Sequence, residues 1–285
     1  MYKRQAIAFR QGLKEAGFVE GQNVTVEYRY ADNQRERLQA LAAGLISLPV
    51  AVIVANGVAA FAAISATRMV PVIFATGSDP VRDGLVSSLH RPGGNVTGVV
   101  FFGSLLGAKR LEMLRQFVPG TKTIAVLANP GLPNTDAELR DLQAAALAIG
   151  QPLVTVNASS ERDIEAAFPA FVQSGAGALL VGSGPLINAQ RNQIVALAAR
   201  HRLPASYPLR EFAVAGGLMS YGSSQADSYR QAGIYAGRIL KGDKPGDLPV
   251  VQSTQFEFVI NLKTAKALGL EFHPQLLATV DEVIE

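Results

Sequence analysis

Two stretches of this chain repeat the same order of elements. QGLKEAGFVEGQNVTVEYRYADNQRERLQALAAGLISLPVAVIVANG and QAAALAIGQPLVTVNASSERDIEAAFPAFVQSGAGALLVGSG each read helix, glycine-containing turn, apolar run, polar helix start, helix, apolar run and small polar loop. The following segments match as well: VIVANGVAAFAAISATRMVPVIFATGSDP and LLVGSGPLINAQRNQIVALAARHRLPASYP both read strand, loop, helix and Pro-led strand. Apolar runs alternating with helical patterns define βα units on a parallel sheet, and their repetition restricts the fold to two similar α/β domains. A chain of 285 residues is long enough for both to bury a core.

Strands are expected at 23–30, 50–56, 70–76, 123–129, 152–158, 177–183 and 203–208, with helices near 3–17, 34–47, 58–68, 104–117, 135–149, 161–173 and 187–201. The repeat also exposes an absence. TIAVLAN and the loop PGLPNT precede the first helix of the second half, whereas nothing corresponds to them ahead of the helix near Lys3. The first domain is therefore expected to lack its opening strand, which is normally central in a doubly wound sheet.

Composition removes several classes of function. Cysteine is absent, which excludes disulfides, thiol catalysis and Cys-based metal sites. The net charge is only +3 and the basic residues are scattered, so no nucleic-acid partner is expected. No apolar run reaches the roughly 18 residues of a spanning helix, and Arg10 and Lys14 interrupt the opening segment, which reads as an amphipathic helix without a signal-peptide core.

Four small polar loops follow predicted strands: Asn56-Gly57-Val58-Ala59, Thr76-Gly77-Ser78-Asp79, Asn129 to Thr135, and Ser183-Gly184-Pro185. Small residues let backbone N–H groups approach a bound group, and a helix start attracts an anion. Each loop alone is equally well a helix cap. Four at the carboxyl ends of repeated strands favour a binding cleft, and they assign the long polar segment Phe74 to Gly98 to that site. Asp79 reads either as an anchor for a ligand amine or as a turn residue capping its own backbone. Tyr207, Arg210, Tyr221 and Asp227 form a second set, with stacking, clamping or mere capping all open. The three histidines, His90, His201 and His273, lack metal-spaced partners, and no nucleophile motif or phosphate loop is present. Neither a metal, a cofactor nor catalysis is expected.

DPVRDGLVSSLHRPGGNVTG, AFRQGLKEAGFVEGQNVTVEYR, SYPLREFAVAGGLMSYG and VINLKTAKALGL together resemble the ABC-transporter substrate-binding protein family that includes tryptophan- and tyrosine-type binding proteins. The resemblance covers nearly the whole chain. It implies a type I periplasmic binding fold: two Rossmann-like lobes with parallel sheets joined by a three-segment hinge. Lobe 1 would comprise 1–100 with 219–250, and lobe 2 would comprise 101–218 with 251–285. The hinge crossings would lie near 97–103, 217–221 and 252–260. Ligand groups would come from Asn56 to Ala59, Thr76, Ser78 and Asp79, and from Asn129, Ser183, Tyr207 and Asp227 nearer lobe 2 and the hinge. The resemblance further implies a monomer that binds an amino acid, aromatic or otherwise, or a related carboxylate, meets a membrane permease and works in the periplasm. Members usually carry an export signal, and this chain shows none. A ligand sensor of a transcriptional regulator and a doubly wound enzyme are the alternatives. The first would need a DNA-binding segment and the second a partnered titratable group.

Overall fold

The computed structural model describes residues 2–32, 34–102, 106–132 and 135–285. The strands in chain order are β1 Ile53–Asn56, β2 Val72–Thr76, β3 Val96–Val100, β4 Ile124–Ala128, β5 Leu153–Asn157, β6 Ala178–Val181, β7 Ala205–Tyr207, β8 Met219–Ser223, β9 Val251–Gln252, β10 Phe256–Asn261 and β11 Glu282–Ile284. The α-helices are α1 Tyr2–Glu15, α2 Leu38–Ile46, α3 Val58–Ala66, α4 Gly107–Phe117, α5 Thr135–Ala148, α6 Glu161–Gln173, α7 Pro185–Ala189, α8 Arg191–Arg200, α9 Arg210–Val214, α10 Gln225–Leu240, α11 Leu262–Leu268 and α12 Pro274–Leu277. The expected helix start at 104, residue 103 of the first hinge crossing, and residues 133 and 134 of the Asn129 loop lie outside the described residues.

The chain forms two compact units, Met1–Phe102 with Ser223–Gln255 and Gly103–Gly222 with Phe256–Glu285. These bounds differ from 219 and 251 because strand pairing sets them. β8 completes the second sheet beside β7, and β9 bonds β3 in the first.

In the first unit the sheet order is β1-β2-β3-β9, with parallel pairing throughout. Every residue of β2 and β3 is buried, as expected for strands covered on both faces. Phe74 points into a cluster with Ile53 and Ala63, and Ile73 points the other way, onto Leu13, Tyr235 and Ala236 of α1 and α10. β3 corrects the reading of Phe74 to Gly98 as one loop. The turn-like letters Asn-Val-Thr-Gly run into a central strand, where Gly98 leaves the room that the Phe74 ring fills.

The strand expected at 23–30 is also corrected. Apart from one bridge between Glu20 and Val24, this segment joins no ladder, and its residues alternate between half-buried and exposed. In the second unit the equivalent β5 pairs with β4, which lies between β5 and β6. In the first unit β1, the counterpart of β6, pairs only with β2 among the described strands. An extended segment becomes a strand only when a neighbour takes up its N–H and C=O groups.

The second sheet has the order β11-β10-β8-β7-β6-β4-β5. Alternate residues of β4 feed two cores. Ala125 and Leu127 meet Ile164, Phe168 and Phe171 of α6, while Ile124 and Val126 meet Leu111 and Leu114 of α4. The start of α6 is fixed locally, because Ser160 Oγ accepts the Asp163 N–H at 3.2 Å and Asp163 Oδ2 accepts the Ser159 N–H at 2.9 Å. The helix expected over 187–201 breaks at Gln190 into α7 and α8.

Arg210, weighed as a ligand clamp, instead ties α9 to β11. Its Nε and Nη2 donate to the two Glu282 oxygens at 2.6 and 2.5 Å. The hydrogen bond from Arg210 holds the Glu282 carboxyl below its ordinary 4.5. A depressed carboxyl adds stability that is present above its unfolded-state value and lost as pH falls through the native value. Acidification below 4.5 should therefore lower the protection of the Val283 amide in β11, read as its exchange relative to the unfolded-chain rate at each pH, and Glu282→Gln should abolish that loss. An unchanged pH profile in the Gln variant would remove this pair as the cause.

Candidate functional site

In the first unit the register of β1 on β2 sets Asn56 opposite Ala75, so the loops after the two strands emerge side by side. Gly57 has a φ of +53° and caps α3 from a backbone region that side chains disfavour, and its N–H donates to the Ala75 carbonyl at 2.8 Å. Val58 and Ala59 follow as the half-buried first turn of α3.

The loop after β2 is held by its own polar groups. Thr76 Oγ1 and Ser78 Oγ share a hydrogen bond at 3.0 Å, and both residues are buried. Ser78 Oγ donates in turn to Asp83 Oδ2. Asp79 Oδ1 accepts the Val81 and Arg82 N–H groups at 2.9 and 3.2 Å, the turn-capping role. Its Oδ2 has no partner among the described residues. Sequence reasoning missed Asp83, although an acid five positions after Ser78 in the same loop was available as a signal.

In the second unit, β4 and β6 are neighbours, and a small recess at their carboxyl ends is lined by Asn129, Thr135, Glu138, Gly182 and Ser183 together with the apolar Val126, Ala128, Leu139, Leu142 and Leu180. Asn129 Oδ1 accepts the Gly131 N–H at 3.0 Å, and Thr135 Oγ1 donates to the Asn129 carbonyl at 2.5 Å. Glu138 was not foreseen. It projects from α5 three residues after Thr135, and its side chain is only 12% exposed. A Thr-x-x-Glu spacing is read first as a helix start, which hides such a carboxylate.

Glu138 lies 4.0 Å from the guanidinium of Arg110, a residue of α4 that is 1% exposed. Burial lowers the Arg110 pKa to about 10, and the nearby Glu138 charge opposes that shift. Nothing in the local sequence GAKRLEML separates this arginine from an exposed one.

The remaining candidates sit elsewhere. Tyr207 is 1% exposed and stacks on Phe212 with ring centroids 4.9 Å apart, and burial pushes its phenol up. It supports the end of β7 from inside the core and does not line the recess. Asp227 belongs to α10 in the first unit and accepts from Arg230 Nη2 at 2.8 Å, while Arg230 Nη1 reaches Glu15 at 2.7 Å. Tyr221 stacks on Phe256. Of the histidines, His90 is exposed, His201 stacks on Phe168, and His273 caps α12. No group of metal-ligating residues occurs among the described residues.

Two parallel α/β units, linked by three chain crossings and carrying polar loops at the carboxyl ends of their strands, define a type I periplasmic binding fold. The chain belongs to the ABC transporter substrate binding protein family, whose model matches residues 3–284. It is 28% identical over 264 residues to a tyrosine-binding protein of Clostridioides difficile strain R20291, an alignment covering 92% of this chain and 76% of that protein. A conserved domain protein from Vibrio cholerae superposes with a TM-score of 0.90 at 25% identity, covering 98% and 94% of the two chains. The ABC domain from Streptococcus pneumonia in complex with L-Trp gives 0.86 at 25% identity, covering 98% and 96%. Members of this family are extracytoplasmic, bind small ligands and work with ABC transporters. No described helix is long and apolar enough to cross a membrane.

Proposed function

We propose that this protein carries an amino acid, aromatic in the first instance, to an ABC permease and releases it chemically unchanged. The candidate contacts are Asn56 to Ala59 and Asp79 in the first unit, and Asn129 and Ser183 in the second. Thr76, Ser78, Tyr207 and Asp227 act behind them, since their polar groups or rings are engaged within the protein.

The observation that carries the reading is the state of Asp79. One carboxylate oxygen fixes the turn through two backbone N–H groups, and the other has no partner in the described structure. An acid held in this way is already oriented for an ammonium group and needs no reorganisation to receive one. The backbone N–H groups at the start of α3 suit the carboxylate of the same ligand. The tyrosine-binding relative and the L-Trp complex support an aromatic amino acid over other zwitterions.

Calorimetry with L-tryptophan, L-tyrosine, L-leucine and the decarboxylated amine of tryptophan tests the proposal. Saturable 1:1 binding of at least one aromatic amino acid is expected, with loss of binding for the amine. Mass spectrometry should recover the ligand intact and the protein as a monomer. Heat for none of the four would defeat the reading, and a converted product would replace it with catalysis.

A further inference from the structure

The carboxyl end of β6 has a gap in its hydrogen bonding that the sequence of β7 creates. β6 and β7 are parallel with Leu179 opposite Ala205, and the Leu179 N–H donates to the Pro204 carbonyl at 2.8 Å. Continuing that ladder, the carbonyl of Val181 should accept from the N–H of residue 208. Residue 208 is proline and has no N–H. The missing donor is supplied from outside the sheet: Arg110 Nη1 donates to the Val181 carbonyl at 2.6 Å.

Stability alone does not explain an arginine here. Arg110 is almost fully buried, its Nε has no partner, and its ion pair with Glu138 is long at 4.0 Å. Such a buried pair is commonly no better for stability than apolar side chains of similar size. What the guanidinium does hold is a position. Val181 is followed directly by Gly182 and Ser183, and on its other side the strand is fixed by the Gly182 N–H donating to the Leu127 carbonyl at 2.8 Å.

We infer that Arg110 is a positioning residue for ligand binding: by standing in for the absent N–H of Pro208, it sets the backbone of Gly182, Ser183 and Gly184. The inference rests on the proposed role of the Ser183 loop as a ligand contact. Arg110 itself touches no ligand. Its effect passes through the Val181 carbonyl, and the Glu138 carboxylate stands 4.0 Å from the guanidinium as its countercharge.

The test combines substitution with restoration of the ladder. Arg110→Met should raise amide exchange at Gly182 to Gly184 about tenfold or more and weaken L-tryptophan or L-tyrosine by a similar factor, as expected when a charged hydrogen bond is lost. Exchange along β4 should not change. Arg110→Lys should retain most of both properties. Pro208→Ala in the Arg110→Met background should restore protection and affinity, because residue 208 then has an N–H to give to Val181. The inference is overturned if exchange at Gly182 to Gly184 is unchanged, if it rises equally across β4, or if Pro208→Ala restores neither property. If Arg110→Met does not fold, Arg110→Gln with and without Pro208→Ala supplies the same comparison, because the shorter amide ends well short of the position from which the guanidinium reaches the Val181 carbonyl. If the wild type binds neither amino acid, the proposed function fails, and the exchange measurements still decide the role of Arg110.

Discussion

Alanine in place of Gly233 is expected to destabilise the first unit by about 3 kcal/mol, at the upper end of the range for overpacking a closely fitted site. Gly233 lies on α10 where it crosses α1. A Cβ there would overlap the Phe9 carbonyl oxygen, well inside van der Waals contact, and lie 2.8 Å from the Leu13 nitrogen. These are backbone atoms of a helix, so no side chain can swing aside. The same approach recurs one turn on, where Gly237 meets Ala16, and from the other helix, where Gly12 meets the Arg230 carbonyl. The two helices would have to separate, uncovering Leu13, Ala232 and Ala236 where they pack toward Ile73 and Val99. Thermal melting and amide exchange of β2 measure the loss. Gly44→Ala is the control: its Cβ would meet nothing within 4 Å, so a helix-interior glycine should gain roughly 0.5–1 kcal/mol. Equal melting temperatures for the Gly233 variant and wild type would show that the helices do not pack as described.

The second large effect concerns affinity. Asp79→Asn keeps an oxygen able to accept the Val81 and Arg82 N–H groups and removes only the charge. If Asp79 holds the ligand ammonium, the variant should lose about 2–4 kcal/mol of amino-acid affinity, the usual cost when one member of a desolvated charge pair is removed. Its melting temperature without ligand should stay near that of wild type. Affinity that survives the Asn change would reduce Asp79 to a turn cap and shift the search for the amine partner to Glu138. Calorimetry on Asp79→Asn and Glu138→Gln in parallel separates these outcomes.

Much of the architecture was legible because it follows from local rules. The internal repeat and the alternation of helical and apolar segments identified two similar α/β domains, and β2, β4, β5 and β6 fell where VPVIFAT, TIAVLAN, PLVTVNA and GALLVGS placed them. The loops with Asn56, Thr76, Asn129 and Ser183 could be located because glycine and small polar residues mark strand ends wherever they occur. β3 escaped notice because its glycine and asparagine carry turn preferences, which burial between two strands overrides. The segment 23–30 was misread for the converse reason. It has the alternation of a strand, but pairing is a property of its neighbours.

The sequence by itself determined the class of fold, the two units and the loops that offer polar groups, since each depends on patterns a few residues long. Only the tertiary structure decided which polar groups are already spent. Ser78 is committed to Asp83, Arg210 to Glu282 and Asp227 to Arg230, while Asp79 keeps one oxygen without a described partner. The same holds for Arg110 and Pro208, which lie nearly a hundred positions apart and meet at one carbonyl of β6. No local pattern reports such pairings, because the energy of a buried charge or an orphaned carbonyl depends on what the fold brings beside it.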